Sequence, residues 1–297
     1  MNDFNAELKS KVTEIEGIIG KFLPEETGYQ EIVIKAMNYS ILAGGKRLRP
    51  MLMQETYRLF GGEGDVIEPF MAAQEMIHTY SLIHDDLPCM DDDDYRRGKP
   101  SNHKVYGEAF ALLAGDGLLT AAFERITDWQ RAGLYSAEVA VKAIYTLSHL
   151  SGSRGMIGGQ VIDLLNENNA NADFDTLKLM DNLKTGALIE AACTLGCIAA
   201  EADDEKMEAA AEFAQKIGLA FQIKDDILDV TSSLEKLGKM AGSDAQNGKS
   251  TYVTLLGVEE CQKLVDKLTE EALSALDVFE NNDALKEYAE YLAKRDC

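Results

Sequence analysis

The feature that most constrains this chain is an acidic run that directly follows a pattern typical of a buried helix. Six carboxylates lie within ten residues, from Asp85 to Asp94, after the apolar stretch 76–83 and just before Arg96 and Arg97. Like charges at this spacing repel, and an unpaired ion away from water costs on the order of several kcal/mol. The run therefore requires a cation, and Mg²⁺ suits it because this ion prefers oxygen ligands and bridges carboxylates to substrate phosphates.

A second acidic group occurs far downstream within another helical pattern. Asp225, Asp226 and Asp229 follow Gln222 at intervals of three, four and seven residues, which places the four side chains on one helix face. A lone acidic run is usually a solvated turn. Two such clusters on two helices instead predict one shared site for metal ions.

The remaining pattern predicts an all-α fold. All five prolines lie within the first hundred residues, so nothing of that kind breaks a helix after Pro100. Apolar residues recur at helical spacing, and no alternating β-branched run stands out. The predicted helices span 4–22, 32–42, 50–60, 69–85, 105–126, 137–150, 157–165, 174–200, 209–230, 254–279 and 284–292.

Three details of these helices are expected from local composition. Gly115-Asp116-Gly117 should interrupt the helix 105–126, because glycine weakens a helix interior. Lys184-Thr185-Gly186 should break regular helix within 174–200 and turn a lysine toward a polar cavity. The last two helices are rich in charge, so they are expected to be peripheral.

The charge balance limits the possible partners. The chain has 29 Lys and Arg against 51 Asp and Glu, a net charge of −22. Nucleic acids and anionic membranes both demand a positive surface, so neither is expected as a partner. A small anionic substrate would need a local basic cluster, and Lys46-Arg47-Leu48-Arg49 offers one. Taken alone, that segment would more often be an exposed basic turn.

Cysteine usage favours a reduced, cytoplasmic compartment. The five cysteines are odd in number and form no CxxC pair, and Cys193 and Cys197 are expected to be small buried residues. The N-terminal residues lack a secretory pattern. No stretch approaches the roughly eighteen uncharged apolar residues of a membrane span. A soluble protein is expected.

Six rare motifs occur in one order over nearly the whole chain. They are GGKRLRP at 44–50, HTYSLIHDDLPCMDDDDYRRGKPSNH at 78–103, GGQVIDL at 158–164, KTG at 184–186, FQIKDDILD at 221–229 and GKST at 248–251. In order and spacing they resemble the trans-isoprenyl diphosphate synthases, and among these the bacterial farnesyl type. The resemblance implies an isoprenoid synthase-type helical bundle around a deep central cavity, a single domain over residues 1–297, and a homodimer.

The resemblance also implies roles for individual residues. Three Mg²⁺ ions would be held against an allylic diphosphate by Asp85, Asp86, Asp91, Asp225, Asp226 and Asp229. The allylic site would be lined by Arg96, Lys184, Thr185, Gln222, Lys239 and Lys249. Isopentenyl diphosphate would be bound by Gly45, Lys46, Arg49, His78 and Arg97. The first motif has two more residues than the short DDxxD form, as in the bacterial farnesyl type.

The implied reaction fits these residue types. Isopentenyl diphosphate would condense 1′-4 with dimethylallyl and then geranyl diphosphate, giving farnesyl diphosphate and releasing diphosphate. Cations would stabilise the departing diphosphate. The carbocation would need a water-excluding apolar cavity with a few oriented dipoles, for which Thr185 and Gln222 are candidates. No side-chain nucleophile is required.

Product length is predicted from Tyr80, five residues before Asp85. In the family an aromatic residue there closes the cavity floor at fifteen carbons, so Tyr80 favours farnesyl over geranylgeranyl diphosphate. On an ideal helix Tyr80 points roughly 140° away from Asp85, so its ring must reach round, and Ser81 leaves room beside it. A tyrosine that serves only the core is the alternative interpretation.

Two other functions remain as alternatives. A class I terpene cyclase would ordinarily carry a different second metal motif and no second diphosphate site. An inactive partner subunit of a prenyl synthase should have lost aspartates, and none is missing here.

Overall fold

The computed structural model describes residues 2–166, 172–231 and 250–295, which are almost entirely helical as the periodicity predicts. The α-helices are α1 (Asn2–Gly20), α2 (Glu31–Ile41), α3 (Leu48–Leu59), α4 (Glu68–Asp85), α5 (Asn102–Tyr106), α6 (Glu108–Arg131), α7 (Ala137–Ser151), α8 (Met156–Asn166), α9 (Phe174–Asp181), α10 (Ala187–Ala199), α11 (Asp204–Thr231), α12 (Tyr252–Leu256), α13 (Val258–Ala275) and α14 (Asp283–Lys294). A 3₁₀ turn covers Gly64–Ile67, and a π-helical turn covers Asn182–Gly186. The strands of the described ranges, β1 (Tyr95–Arg96) and β2 (Lys99–Pro100), form one antiparallel ribbon.

The described residues form two compact units. The first covers the chain up to Gln54 and residues 63–145, and the second covers residues 55–62 and the chain from Thr146 onward. The single domain over 1–297 therefore stays a prediction. Among the described helices, none combines the length and apolar character that crossing a membrane requires.

Helix α4 forms the centre of the first unit. Its segment from Pro69 to Ile77 is buried on every side, and α1, α2 and α6 pack against it. One charged residue of this segment, Glu75, accepts a hydrogen bond at 2.6 Å from Arg47, whose side chain is also buried. A buried charge needs such a partner. Arg47, one of the three cations of the basic cluster, therefore stabilises the fold.

Helix α6 runs unbroken through Gly115 and Gly117, so the predicted interruption there is wrong. A Cβ atom on Gly115 would lie 2.0 Å from Nε2 of His84, so glycine is needed for α6 to approach α4 closely. The break comes earlier, at Gly107, whose φ of +84° ends α5. Glycine composition alone could not distinguish a packing glycine from a helix-ending one.

Helix α11 forms the centre of the second unit, packed against α10 and α13. Its apolar residues join a buried cluster to which α12 and α13 contribute Tyr252, Cys261, Val265 and Leu268. The last helices, α13 and α14, carry their exposed charges on one face and bury their apolar face, which is the pattern of peripheral helices, as predicted. Cys193 and Cys197 are buried, as predicted.

Candidate active site

The first aspartate motif folds as a tight turn at the end of α4. The helix ends at Asp85, since Pro88 removes a backbone donor and disfavours helical geometry at the residue before it. Within the turn the Met90 amide donates to the Leu87 carbonyl and the Asp91 amide to the Asp85 carbonyl, both at 2.8 Å. The two extra residues of the motif thus form a loop that returns Asp91 to Asp85.

Asp86 is the most enclosed carboxylate of this turn, with 2% of its surface exposed. Arg96, on β1, donates through Nε to Asp86 Oδ1 at 2.8 Å and through Nη2 to the same oxygen and to Asp93 Oδ2 at 2.9 Å. Burial raises the pKa of Asp86, and the bond from Arg96 lowers it in part. Arg96, predicted for the allylic site, here neutralises part of the aspartate turn.

Close backbone packing brings Arg97 to the loop that precedes α3. Arg97 Nη1 donates to the Gly44 carbonyl. Gly45 has a φ of +146°, and a Cβ atom there would lie 3.0 Å from Cζ of Arg97, so a side chain would crowd the guanidinium. The Lys46 side chain is exposed, and no contact among the described residues joins it to this group.

Arg49 and His78 complete a cationic group in the same unit. Arg49 Nη1 lies 3.4 Å from His78 Nε2. Burial, and then the charges of Arg49 and Arg97, hold the pKa of His78 well below its usual value, so the ring is neutral at neutral pH. Burial lowers the pKa of Arg49 to about 10, and its Nε has no hydrogen-bond partner in the described part of the chain. Such a group is suited to an anion.

The two residues predicted to set product length differ in their surroundings. Tyr80 is 5% exposed, and its ring lies edge-on to His84 with the centroids 5.7 Å apart. Burial raises the pKa of Tyr80 to about 12, and its hydroxyl has no hydrogen-bond partner among the described residues. A buried tyrosine that serves only the core usually satisfies its hydroxyl. Ser81 donates to the carbonyl of His78 at 2.9 Å.

In the second unit, Lys184 and Thr185 lie in the π-helical turn between α9 and α10, which confirms the predicted break. Such turns commonly mark functional positions. Lys184 Nζ donates to Asp163 Oδ2 at 2.5 Å. A Cβ atom on Gly159 would lie 2.2 Å from the Lys184 amide nitrogen, so glycine lets α8 meet this turn backbone to backbone. The motifs at 158–164 and 184–186 are thereby joined.

The second aspartate motif lies on α11. Asp225 Oδ1 accepts from Arg295 at 2.7 Å, and Asp226 Oδ2 accepts from the Tyr252 amide at 2.8 Å. Asp229 is buried. Because the motif is part of a continuous helix, its three side chains are arranged by helical spacing.

Gln222, one turn before Asp225, interacts with the buried carboxyl group of Asp181 at the end of α9. Burial raises the pKa of Asp181 to about 6, while the Tyr252 hydroxyl and the Gln222 side chain lower it in part. Gln222 and the second aspartate motif are thus linked to α9 and α12.

Comparison with known proteins identifies the family. Residues 30–292 match the family model described as Polyprenyl synthetase. The chain belongs to this family of prenyltransferases. It is 47% identical over 264 residues to a chloroplastic geranylgeranyl pyrophosphate synthase of Catharanthus roseus, covering 88% of this chain and 73% of that protein. It is 46% identical over 284 residues to a farnesyl diphosphate synthase of Micrococcus luteus, covering 95% and 94%.

A solved polyprenyl synthetase structure has the same fold. The FPP/GFPP synthase of Zymomonas mobilis superposes with a TM-score of 0.85 at 34% identity, covering 98% of this chain and 99% of that one. The all-α isoprenoid synthase-type fold is therefore confirmed.

The donor set of both aspartate motifs fits Mg²⁺, which this polyprenyl synthetase family uses through such motifs. All six predicted ligands offer carboxylate oxygens, the donors that this hard cation prefers. Buried Asp86 and Asp229 are poorly solvated, and each motif contacts an arginine that offsets part of its charge. A divalent cation would complete that compensation.

Sequence reasoning missed several residues of the site. Asp163 and Asp181 contact predicted residues, and Arg295 lies outside the quoted motifs. Asp92, Asp94 and His103 bring ligating atoms within 4.8 Å of one another, although Lys104 pairs with Asp94 at 2.6 Å. The predicted Lys239 and Lys249 lie outside the described residues.

Proposed function

We propose that this protein is an Mg²⁺-dependent farnesyl diphosphate synthase, which condenses isopentenyl diphosphate 1′-4 with dimethylallyl and then geranyl diphosphate. The observation that supports this most strongly is the cationic group of Arg49 and Arg97 around a neutral His78. In a chain of net charge −22, a group of two guanidiniums around a neutral imidazole favours an anion as its ligand. That group is a second diphosphate site, beside the one at the aspartates.

The allylic diphosphate is assigned to the two aspartate motifs. Mg²⁺ would be held by Asp85, Asp86, Asp91, Asp225, Asp226 and Asp229, and when bound it stabilises negative charge on the departing diphosphate. Arg96 and Lys184 orient the same group, because each is already fixed by a carboxylate in its own unit. Fixed donors need no reorganisation when charge develops.

Carbon–carbon bond formation follows ionisation. The allylic carbon–oxygen bond breaks with its electron pair on the diphosphate, and the isopentenyl double bond attacks the allylic carbon. Transfer of a proton from the new cation to the departed diphosphate then restores a double bond. Thr185 and Gln222 supply oriented dipoles beside the cation, and apolar walls exclude water.

Farnesyl diphosphate is the proposed product because Tyr80 is buried with an unsatisfied hydroxyl, as expected for a ring that closes a cavity. Geranylgeranyl diphosphate is the second candidate, since the relatives of 47% and 46% identity carry the two different names. Overall identity does not separate them. A product difference of this kind depends on contacts worth only about 1–3 kcal/mol.

A cytoplasmic homodimer is part of the proposal. Helix α6 exposes Leu112 and Leu113, and α7 exposes Val141 and Tyr145. Several exposed apolar side chains on two helices that are consecutive in the chain favour an interface with another protein chain. Terpene cyclisation is disfavoured by the second cationic group, and an inactive subunit by the full set of aspartates.

Product analysis tests the proposal. The protein is incubated with dimethylallyl diphosphate, isopentenyl diphosphate and Mg²⁺, and the products are separated by chain length. Fifteen-carbon diphosphate is expected. Twenty carbons would support the geranylgeranyl alternative, cyclised hydrocarbon a cyclase, and unconsumed substrate a non-catalytic subunit.

A variant of Tyr80 tests the basis of product length. Tyr80→Ala should extend the product beyond fifteen carbons, because the ring would no longer block the growing chain. Tyr29→Ala is the matched control, since Tyr29 is a fully exposed tyrosine and its loss leaves the Tyr80 ring in place. If Tyr80→Ala still stops at fifteen carbons, the floor of the cavity lies elsewhere.

A further inference from the structure

The C-terminal end of the described chain reaches the second aspartate motif. Arg295 directly follows α14, and its Nη2 donates to Asp225 Oδ1 at 2.7 Å and to the Phe221 carbonyl at 2.9 Å. Its guanidinium also lies over the Phe221 ring, with Cζ 3.8 Å from the centroid. The Arg295 side chain is 3% exposed, whereas that of Asp225 is 46% exposed. A buried cation therefore holds a carboxylate that faces outward.

The two oxygen acceptors of Arg295 lie one turn apart on α11. Residues four apart share a helix face, so one amino group of the guanidinium, Nη2, reaches both acceptors. A charge-assisted bond to a fixed guanidinium restricts the rotamers of the carboxylate. Asp225 is thus oriented from outside its own helix, as Asp226 is oriented by the Tyr252 amide.

Charge gives the contact a second effect. Asp225, Asp226 and Asp229 lie within five residues of one helix, and their mutual repulsion disfavours that arrangement in the absence of a cation. Arg295 offsets part of this charge at all times. Arg295 is also held by its stacking on the Phe221 ring and its hydrogen bond to the Phe221 carbonyl, both independent of Asp225. We therefore expect its side chain to stay in place when a metal ion binds to the carboxylate.

We propose that Arg295 is a positioning residue that fixes the Asp225 carboxylate for a divalent cation bound together with diphosphate. This inference rests on the proposed function, since it requires the second motif to take a metal–diphosphate group. Arg295 acts through its own contact with Asp225. Its contribution passes through the orientation of Asp225 and the charge of the cluster.

The test uses the full-length protein and inorganic diphosphate as the probe. Binding of diphosphate at fixed Mg²⁺ is measured by calorimetry for the wild type, Arg295→Ala and Arg295→Lys. We expect Arg295→Ala to weaken binding by about tenfold. Arg295→Lys should give an intermediate loss, because an ammonium keeps the charge but lacks the planar guanidinium that stacks on the Phe221 ring. The Mg²⁺ concentration for half-maximal turnover should rise in the same order.

Lys294→Ala is the matched control. Lys294 is the adjacent cation, its side chain is 71% exposed, and it pairs with Glu290 at 2.7 Å. Diphosphate binding should be unchanged in this variant. Circular dichroism and thermal unfolding show which variants fold. If Arg295→Ala does not fold, the inference is decided by Arg295→Lys, which retains the stem and the charge.

The outcomes separate this inference from the function on which it rests. If Arg295→Ala and Arg295→Lys bind diphosphate as tightly as the wild type does, the positioning role is overturned and the proposed function is left intact. Tighter binding in Arg295→Ala would also overturn it, because Arg295 would then compete with the cation. No Mg²⁺-dependent binding by the wild type would overturn the proposed function as well.

Discussion

The two aspartate motifs have similar sequences but are built in different ways. The first lies in a turn after the end of α4, where backbone hydrogen bonds return Asp91 to Asp85. The second lies within α11, where helical spacing arranges the carboxylates. Each contacts an arginine, namely Arg96 for Asp86 and Arg295 for Asp225. In both motifs an arginine thus offsets part of the carboxylate charge, but the backbone is a turn in the first motif and a helix in the second.

The difference lies in how far along the chain the compensating cation comes from. Arg96 is ten residues from Asp86 and forms part of the same ribbon-and-turn segment. Arg295 is seventy residues from Asp225 and reaches it only because α14 packs against α11 in the second unit. The charge compensation of the first motif is therefore local, and that of the second depends on tertiary packing.

The largest expected effect comes from removing one carboxylate of either motif. Asp85→Ala and Asp225→Ala should each lower turnover by about 10³-fold or more, because neither motif holds the metal ions alone. Asp128→Ala, at an exposed aspartate paired with Arg125, should leave turnover unchanged. Steady-state assays and circular dichroism check this. Near-normal turnover in either motif variant would mean that the motifs do not act together.

A smaller effect is expected at Asp181, a buried carboxyl group at the end of α9 in the second unit. Burial raises its pKa to about 6, above the ordinary value of about 3.9 in an unfolded chain. The folded state therefore binds this proton more tightly, and the free energy of unfolding contributed by Asp181 falls as the pH rises from about 4 to about 6.

Asp181→Asn should remove this pH dependence. Since two pKa units correspond to about 3 kcal/mol, we expect the variant to lack a decline of about 1–3 kcal/mol between those pH values. Denaturant unfolding at pH 4, 5, 6 and 7 measures it, with Asp175→Asn at the exposed first turn of α9 as the control. An unchanged pH profile in Asp181→Asn would show that another group titrates.

The smallest effect is expected in the basic loop of the first unit. Lys46→Ala should raise the KM for isopentenyl diphosphate by about tenfold and that for the allylic substrate far less, because Lys46 is assigned to only one of the two diphosphates. Lys35→Ala, at an exposed lysine paired with Glu31, should change neither value. If the KM rises equally for both substrates, Lys46 acts through the overall electrostatic potential of the protein and does not contact one diphosphate.

Much of this structure could be predicted from sequence, because its determinants are local. Helical periodicity gave the helices, Pro88 gave the end of α4, and the composition around Lys184 gave the break that proved to be π-helical. The mistaken interruption at Gly115 shows the limit. A glycine required by the approach of His84 has the same composition signal as one that ends a helix.

The supporting residues of the site could not be predicted in this way. Asp181 and Arg295 act through partners on other helices, and a lone aspartate before a helix break or a lone arginine near a chain end has no distinctive pattern. Arg47 shows the converse, because it belongs to a conspicuous basic cluster yet pairs with buried Glu75. Local chemistry identified the reactive groups, and tertiary packing determined what holds them.

The most direct test of a shared metal–diphosphate site is a double-mutant cycle on Mg²⁺-dependent diphosphate binding. Calorimetry is performed on the wild type, Asp85→Asn, Asp225→Asn and the double variant. A shared site predicts that each single change weakens diphosphate binding by at least about tenfold. The second change should then add little, because the effects of residues that act together on one ligand are not additive. Independent sites would be shown by full additivity, or by a stoichiometry that falls by half in each single variant, and either result would contradict the joint action of the two motifs.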